Sequence, residues 1–249
     1  MTDLPSLDLG GIDDAESPGR SRLVLAFWAA VALSIVLPRV PYGRNVLYPF
    51  SLLGTWAHEM GHGIVAILVG GNFEKLELYS NLGGVAWNSG VGKVGGTLVS
   101  AGGLLGPAIF GGLIIVFGAR AKTAPWVLAV LSVLIVASVL FVVRNLFGAV
   151  SMSLIAVVLV PIAFKAPEIL RTFVAQLIGI QFCLASWNTL DYMFTKNFRR
   201  NGQTIDSDTQ NIADVLLLPY WFWGGLIAGL SGLILVFSFY VAWVRPLRE

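Results

Sequence analysis

The chain has few charged residues, few histidines and almost no cysteine. Of its 249 residues, 12% are charged and 56% are hydrophobic, with one cysteine and two histidines. Soluble domains carry about 25% charged residues, and a soluble fold of this length could not bury so much apolar surface in one core. The lone Cys183 excludes a disulfide framework and a cysteine-rich structural metal site. The sequence therefore predicts a polytopic membrane protein.

The charge balance and the N-terminal segment exclude two further features, a nucleic-acid partner and a cleaved signal peptide. A formal net charge of +2 indicates no nucleic-acid partner. Residues 1–22 are polar and acidic, unlike the basic start of a secretory signal, so we expect no cleaved signal peptide. We interpret residues 1–22 as a short disordered tail, and residues 23–249 as a single integral membrane domain.

Apolar runs of membrane-spanning length recur along the chain. A helix needs about 20 apolar residues to cross a hydrocarbon core of about 30 Å. We therefore predict an all-α, multi-pass membrane protein with six or seven transmembrane helices, expected in the cell (plasma) membrane. Lysine and arginine divide evenly between the two sets of loops, so the positive-inside rule assigns no orientation. The predicted spans are Leu23–Leu37, Asn45–Val69, Val94–Ala119, Thr123–Val143, Asn145–Phe164, Thr172–Leu190 and Val215–Val244.

Two segments between the spans have patterns of their own. Asn72–Gly90 contains two short β-prone runs around Gly83-Gly84, which predicts a small β-hairpin directly after the second helix. Lys196–Asp214 is a long polar loop, in which Ser207 and Gln210 form a capping-box pattern ahead of the final helix.

The second predicted span contains a motif that is typical of metal-binding enzymes. His58 and His62 are four residues apart, so they lie on one helical face about one turn from each other. That spacing lets two imidazoles bind one metal ion, and Glu59 lies about 100° around the helix. In the H-E-x-x-H arrangement the two histidines bind zinc and the glutamate serves as general base.

The apolar setting makes these three residues informative. An acidic or basic side chain at the bilayer centre costs about 2.5–3.5 kcal/mol on insertion scales, so a cluster of ionisable side chains indicates a role. The alternatives are a polar contact between helices, a proton path, a metal-ion or proton transporter using the same His pair, or an inactive protease-like scaffold. A transporter needs no base beside its ligands and usually distributes polar groups over several helices. The other spans of this chain contain almost no ionisable residues.

A catalytic zinc needs a third protein ligand and an open position. Since both histidines are used, the candidates are acids in or near a span, or Cys183, which we interpret as a packing residue. Asp191 ends the sixth span and is our preferred third ligand, with Asn188 three residues earlier as a second-shell or substrate-binding residue. Asp208 is the alternate ligand, although an acid beside a helix start also complements the helix dipole.

These motifs resemble the site-2 protease family of intramembrane zinc metalloproteases, in its short branch without a PDZ domain. The resemblance runs from about Leu47 to Trp223. Typical members have an Asn-Pro…Leu-Asp-Gly segment whose Asp is the third zinc ligand, whereas Asn188–Tyr192 keeps the Asn, Leu and Asp without the proline and glycine. The segments that carry the resemblance are His58–His62, the glycine-rich hairpin, Ser100–Pro107, Trp187–Asp191 and Ser207-Asp208.

The resemblance implies a hydrolase, a zinc metallopeptidase with Zn²⁺ as its cofactor. Glu59 would deprotonate the water that attacks a peptide bond. The expected substrate is a transmembrane or membrane-associated protein in the lipid bilayer, locally unwound because its helical peptide bonds are internally satisfied. The hairpin would offer an edge to the extended substrate, and the glycines around Gly103 would let the third span approach its neighbours closely.

Overall fold

The computed structural model describes residues 18–200 and 203–245. The expected disordered tail falls on residues 1–17, which lie outside the described residues, and on 18–22, where the prediction is wrong because a helix begins at Pro18. The helices are α1 (Pro18–Val36), α2 (Gly43–Leu68), α3 (Lys93–Gly118), α4 (Ala124–Phe141), α5 (Leu146–Lys165), α6 (Glu168–Asn188), α7 (Leu190–Met193), α8 (Asp208–Leu216) and α9 (Tyr220–Phe239). The strands are β1 (Asn72–Leu78), β2 (Gly84–Ser89), β3 (Asn197–Arg200) and β4 (Gln203–Asp206).

Six helices in the described part of the chain are long and apolar enough to cross a membrane. They are α1, α3, α4, α5, α6 and α9, so the predicted all-α, multi-pass membrane architecture is confirmed. Helix α2 has 26 residues, as many as α3, but its central His58, Glu59 and His62 lower its hydropathy. The predicted small hairpin after the second helix is also present, as β1 and β2.

Helix α3 packs closely on both α2 and α6 because glycines replace side chains at the crossings. A Cβ atom on Gly61 of α2 would overlap the carbonyl oxygen of Gly102, and one on Gly106 would lie 3.2 Å from the Cα atom of Gly61. On the other face of α3, a Cβ atom on Gly111 would lie 2.5 Å from the carbonyl oxygen of Gly179 in α6. These contacts bring the backbones of the three helices together.

The hairpin of β1 and β2 is anchored along one edge. The Leu76 N–H donates to the Val142 carbonyl at 2.8 Å, and the Leu76 carbonyl accepts the Arg144 N–H at 3.0 Å. The Asn145 side chain contacts both backbone groups of Leu78 in the same way. The connection between α4 and α5 therefore covers the outer edge of β1.

The region predicted as one polar loop and one long final span is built differently. Strands β3 and β4 pair as a second hairpin, and the Ser207 N–H donates to the Lys196 carbonyl at 3.1 Å at its base. Helix α8 follows, and Leu217 in the left-handed region (φ 66°) ends it. Pro219 then precedes α9. The predicted span Val215–Val244 is thus wrong at its start, because proline disfavours continuation of the preceding helix.

Candidate metal centre

His58 and His62 converge on one side of α2, as their spacing predicts. Their Nε2 atoms lie 3.0 Å apart, and the ring planes are perpendicular with centroids 4.6 Å apart. Two zinc ligands at about 2.0–2.1 Å from one ion need nearest nitrogens within about 5 Å, and the pair meets that requirement. Both side chains are largely buried, with 20% of His58 and 11% of His62 exposed.

A hydrogen bond to the nitrogen that does not bind the ion orients a metal-binding histidine, and His62 has such a bond to α3. Its Nδ1 atom lies 2.8 Å from the Val99 carbonyl oxygen. Because a carbonyl only accepts, Nδ1 carries a proton, and Nε2 is the nitrogen that faces His58 and Asp208. Gly103, one turn further along α3, leaves room for the ring, since a Cβ atom there would overlap the imidazole. Helix α3 thus fixes both the tautomer and the orientation of His62.

Asp208 is the third residue whose side chain could bind an ion together with His58 and His62. Its Oδ2 atom lies 3.5 Å from Nε2 of His58 and 3.4 Å from Nε2 of His62. Burial disfavours the charged carboxylate, but the positive charge of a protonated His62 and hydrogen bonds from both imidazoles outweigh that effect and hold the pKa of Asp208 well below its ordinary value. Asp208 is therefore a carboxylate facing two imidazoles.

The start of α8 explains how Asp208 reaches this position. The Ser207 hydroxyl accepts the Gln210 N–H at 3.2 Å, so the predicted serine cap is present, but it caps α8 rather than the final span. Asn211, one turn along α8, contacts Ser100 of α3 through its side chain at 3.4 Å. Ser100 is adjacent to Val99, whose carbonyl contacts His62. Helix α3 therefore positions both His62 and the helix that carries Asp208.

The structure does not bring Asp191 to the His pair. Helix α6 packs on α2, as expected, with Gly54 next to Ala185, but it ends at Asn188 and Asp191 lies beyond it in α7 with an exposed side chain. The expectation that Asp191 is the acid nearest the pair, Glu59 aside, is therefore wrong, and Asp208 takes that place. The side chain of Asn188 lies outside the described residues.

Tyr192 is a site residue that our sequence reasoning missed. Its hydroxyl lies 3.1 Å from Oδ2 of Asp208 and 3.1 Å from the backbone nitrogen of the same residue. A tyrosine in place of the family's glycine was a departure from the motif, and that departure was the available signal. Cys183 is buried, with its sulfur 3.6 Å from the Ala108 carbonyl oxygen, in keeping with a packing role.

Glu59 is buried beside the pair without joining it. Only 6% of the residue is exposed, and its side chain packs against the first residue of β2, since a Cβ atom on Gly84 would lie 2.6 Å from its Oε1 atom. The next turn of α2 towards the N-terminus contributes Thr55, whose hydroxyl donates to the Leu82 carbonyl at 2.9 Å. Glu59 therefore contacts the hairpin from the same helix that carries the His pair.

The donor set fits a divalent zinc ion. Within residues 18–200 and 203–245, His58, His62 and Asp208 form the group whose ligand atoms all lie within 4.8 Å of one another. Tetrahedral ligands at 2.0–2.1 Å from an ion are roughly 3.3 Å apart, close to the three separations found here. Three acceptor atoms so close together repel unless a cation or a proton lies between them, and two imidazoles with one carboxylate are ligands that zinc prefers.

Comparison with known proteins supports the same chemistry. A family model described as Peptidase M50B-like matches residues 26–238, which include the His pair, Glu59 and Asp208. No curated protein and no solved structure matches the chain.

Proposed function

The chain belongs to the Peptidase M50B-like family, and from that premise we propose that it is an intramembrane zinc endopeptidase. This assignment agrees with the resemblance to site-2 proteases in the sequence. The observation that carries the proposal is the convergence of Nε2 of His58, Nε2 of His62 and Oδ2 of Asp208, beside the buried carboxyl group of Glu59. Asp208 replaces Asp191 as the proposed third ligand.

The residues divide between holding the ion and moving a proton. His58, His62 and Asp208 would hold zinc, which supplies a Lewis acid for the scissile carbonyl and acidifies water. Glu59 accepts the proton of the attacking water and donates it to the leaving amine, as a general base and then a general acid. Glu59 is not part of the group of three converging ligand atoms, which leaves its carboxylate available for that transfer.

The proposed substrate is a transmembrane or membrane-associated protein, reached from within the bilayer. Peptide bonds inside a helix are internally hydrogen-bonded, so the cleaved segment has to be extended. The hairpin beside Glu59 provides a surface for such a segment, because strand addition satisfies the backbone of an extended peptide.

The open edge of that hairpin is the edge of β2. The backbone groups of Leu76 point away from β2, and Leu76 lies opposite Ala86. Opposed residues of an antiparallel pair exchange both hydrogen bonds or neither, so the N–H and C=O of Ala86 point outward. The same reasoning applies to Gly84, opposite Leu78. No strand among the described residues pairs with this edge.

The alternatives from the sequence lose support. The matching family is one of peptidases, not transporters, and the polar groups at the metal centre include a base that transport does not need. An inactive scaffold would keep the same residues without cleaving a substrate, which the experiment below measures. We propose the plasma membrane as the location.

The test compares Glu59→Gln with wild type, reconstituted in liposomes with a membrane-spanning reporter substrate. We expect the variant to lose cleavage by at least the 100-fold typical of a general base, with about one zinc per chain retained. Glu168→Gln, an exposed residue at the start of α6, is the matched control and should cleave like wild type. Cleavage by Glu59→Gln at the wild-type rate would refute the mechanism, and absence of zinc from the wild-type protein would refute the metal centre.

A further inference from the structure

We propose that Tyr192 is a positioning residue that holds the Asp208 carboxylate in its metal-binding geometry. The inference rests on the proposed function, because it takes Asp208 as a zinc ligand. It adds a residue that lies outside the His58–His62 motif and follows directly after Asp191. Tyr192 acts through Asp208 and does not itself bind the ion.

The hydrogen bonds of Tyr192 are specific for the ligand oxygen. Its hydroxyl donates at 3.1 Å to Oδ2 of Asp208, the same oxygen that faces the Nε2 atoms of His58 and His62. The phenolic oxygen also accepts the backbone N–H of Asp208 at 3.1 Å. One hydroxyl group thus fixes both the backbone and the side chain of the ligand, which determines where Oδ2 lies.

Tyr192 is itself held in place, so it can impose that geometry. Its ring packs edge-on against Phe198 of β3, with centroids 5.3 Å apart. The adjacent Met193 is fully buried, and its carbonyl accepts the Thr209 hydroxyl at 2.9 Å. Two consecutive residues of α7 therefore bind two consecutive residues of α8, and hairpin β3–β4 closes the loop between them.

These contacts assign a role to the segment that the family motif marks. In this segment Asp191 is exposed, and the next residue, Tyr192, contacts Asp208, the acid that faces the His pair. A ligating carboxylate is ordinarily held by outer hydrogen bonds, and loss of such a bond costs about 10- to 100-fold in metal affinity or activity. Since Oδ2 has Tyr192 as its hydroxyl donor, removal of that hydroxyl leaves Asp208 free to rotate.

The first experiment measures zinc and cobalt binding to Tyr192→Phe in the full-length protein. We expect zinc affinity to fall about 10- to 100-fold, and the visible absorption spectrum of bound Co²⁺ to change as the carboxylate geometry relaxes. The phenylalanine ring preserves the packing on Phe198. Tyr42→Phe removes a hydroxyl from a residue that is 83% exposed and should behave like wild type in both measurements.

The second experiment asks whether Tyr192 acts through Asp208. In an Asp208→Ala background, Tyr192→Phe should lower zinc affinity less than about twofold further, because coupled residues are not additive. A full additional loss in that background would indicate an independent structural effect and overturn the proposal. Wild-type zinc affinity and spectrum in Tyr192→Phe would overturn it while leaving the metal centre intact, whereas a wild-type protein that binds no zinc would refute the metal centre as well.

Discussion

Replacement of Asp208 and of Asp191 in turn separates the two candidate third ligands. Four-ligand structural zinc sites bind with an apparent free energy of about 10–16 kcal/mol, or about 2.5–4 kcal/mol per ligand if the contributions are equal. Since about 1.4 kcal/mol corresponds to a tenfold change, Asp208→Ala should weaken zinc binding by roughly 60- to 700-fold. Asp191→Ala removes an exposed carboxylate and should change zinc affinity less than about twofold.

The assay is competition for zinc with a chromophoric chelator, on protein in detergent whose helical content is checked by circular dichroism. Asp208→Asn serves as a second variant, because it keeps the side-chain shape and one acceptor oxygen while removing the charge. Both Asp208 variants should also lose cleavage of a membrane-spanning reporter. An equal loss of zinc affinity in Asp191→Ala, or none in Asp208→Ala and Asp208→Asn, would refute the assignment of the third ligand.

Two further predictions concern the elements around the metal centre. Gly103→Ala should destabilise the protein by about 1–3 kcal/mol through overpacking and displace His62, and thus weaken zinc binding in the same competition assay. Gly96→Ala, in the same helix with no atom within 4 Å of the added Cβ, should bind zinc like wild type, and equal behaviour of the two variants would contradict the argument. Ala86→Pro removes an N–H at the open edge of β2, so kcat/KM for a membrane substrate should fall with zinc affinity unchanged. Unaltered cleavage by that variant would exclude strand addition at this edge.

Local patterns account for the parts of the fold that the sequence predicts correctly. The length and apolarity of the spans determine α3, α4 and α5 to within a few residues, because a bilayer requires about 20 apolar residues per helix. The four-residue spacing of His58 and His62 determines their convergence, since the helical repeat places such residues on one face. The hairpin after α2 follows from the glycine pair between two β-prone runs.

The position of Asp208 depends on how distant segments pack, which the local sequence pattern does not show. An acid after a serine cap is fully explained by the helix dipole, and nothing within α8 indicates that its first turn contacts α2. That contact depends on Leu217 and Pro219, which separate α8 from α9, and on Asn211, which docks α8 against α3. Asp191 is attached to an apolar span, where a third ligand is expected, whereas the chain reaches the His pair through a short polar helix, α8. The break at Leu217-Leu218-Pro219 was visible in the sequence, and it would have separated α8 from the final span and placed Asp208 among the acids of a helix packed inside the protein.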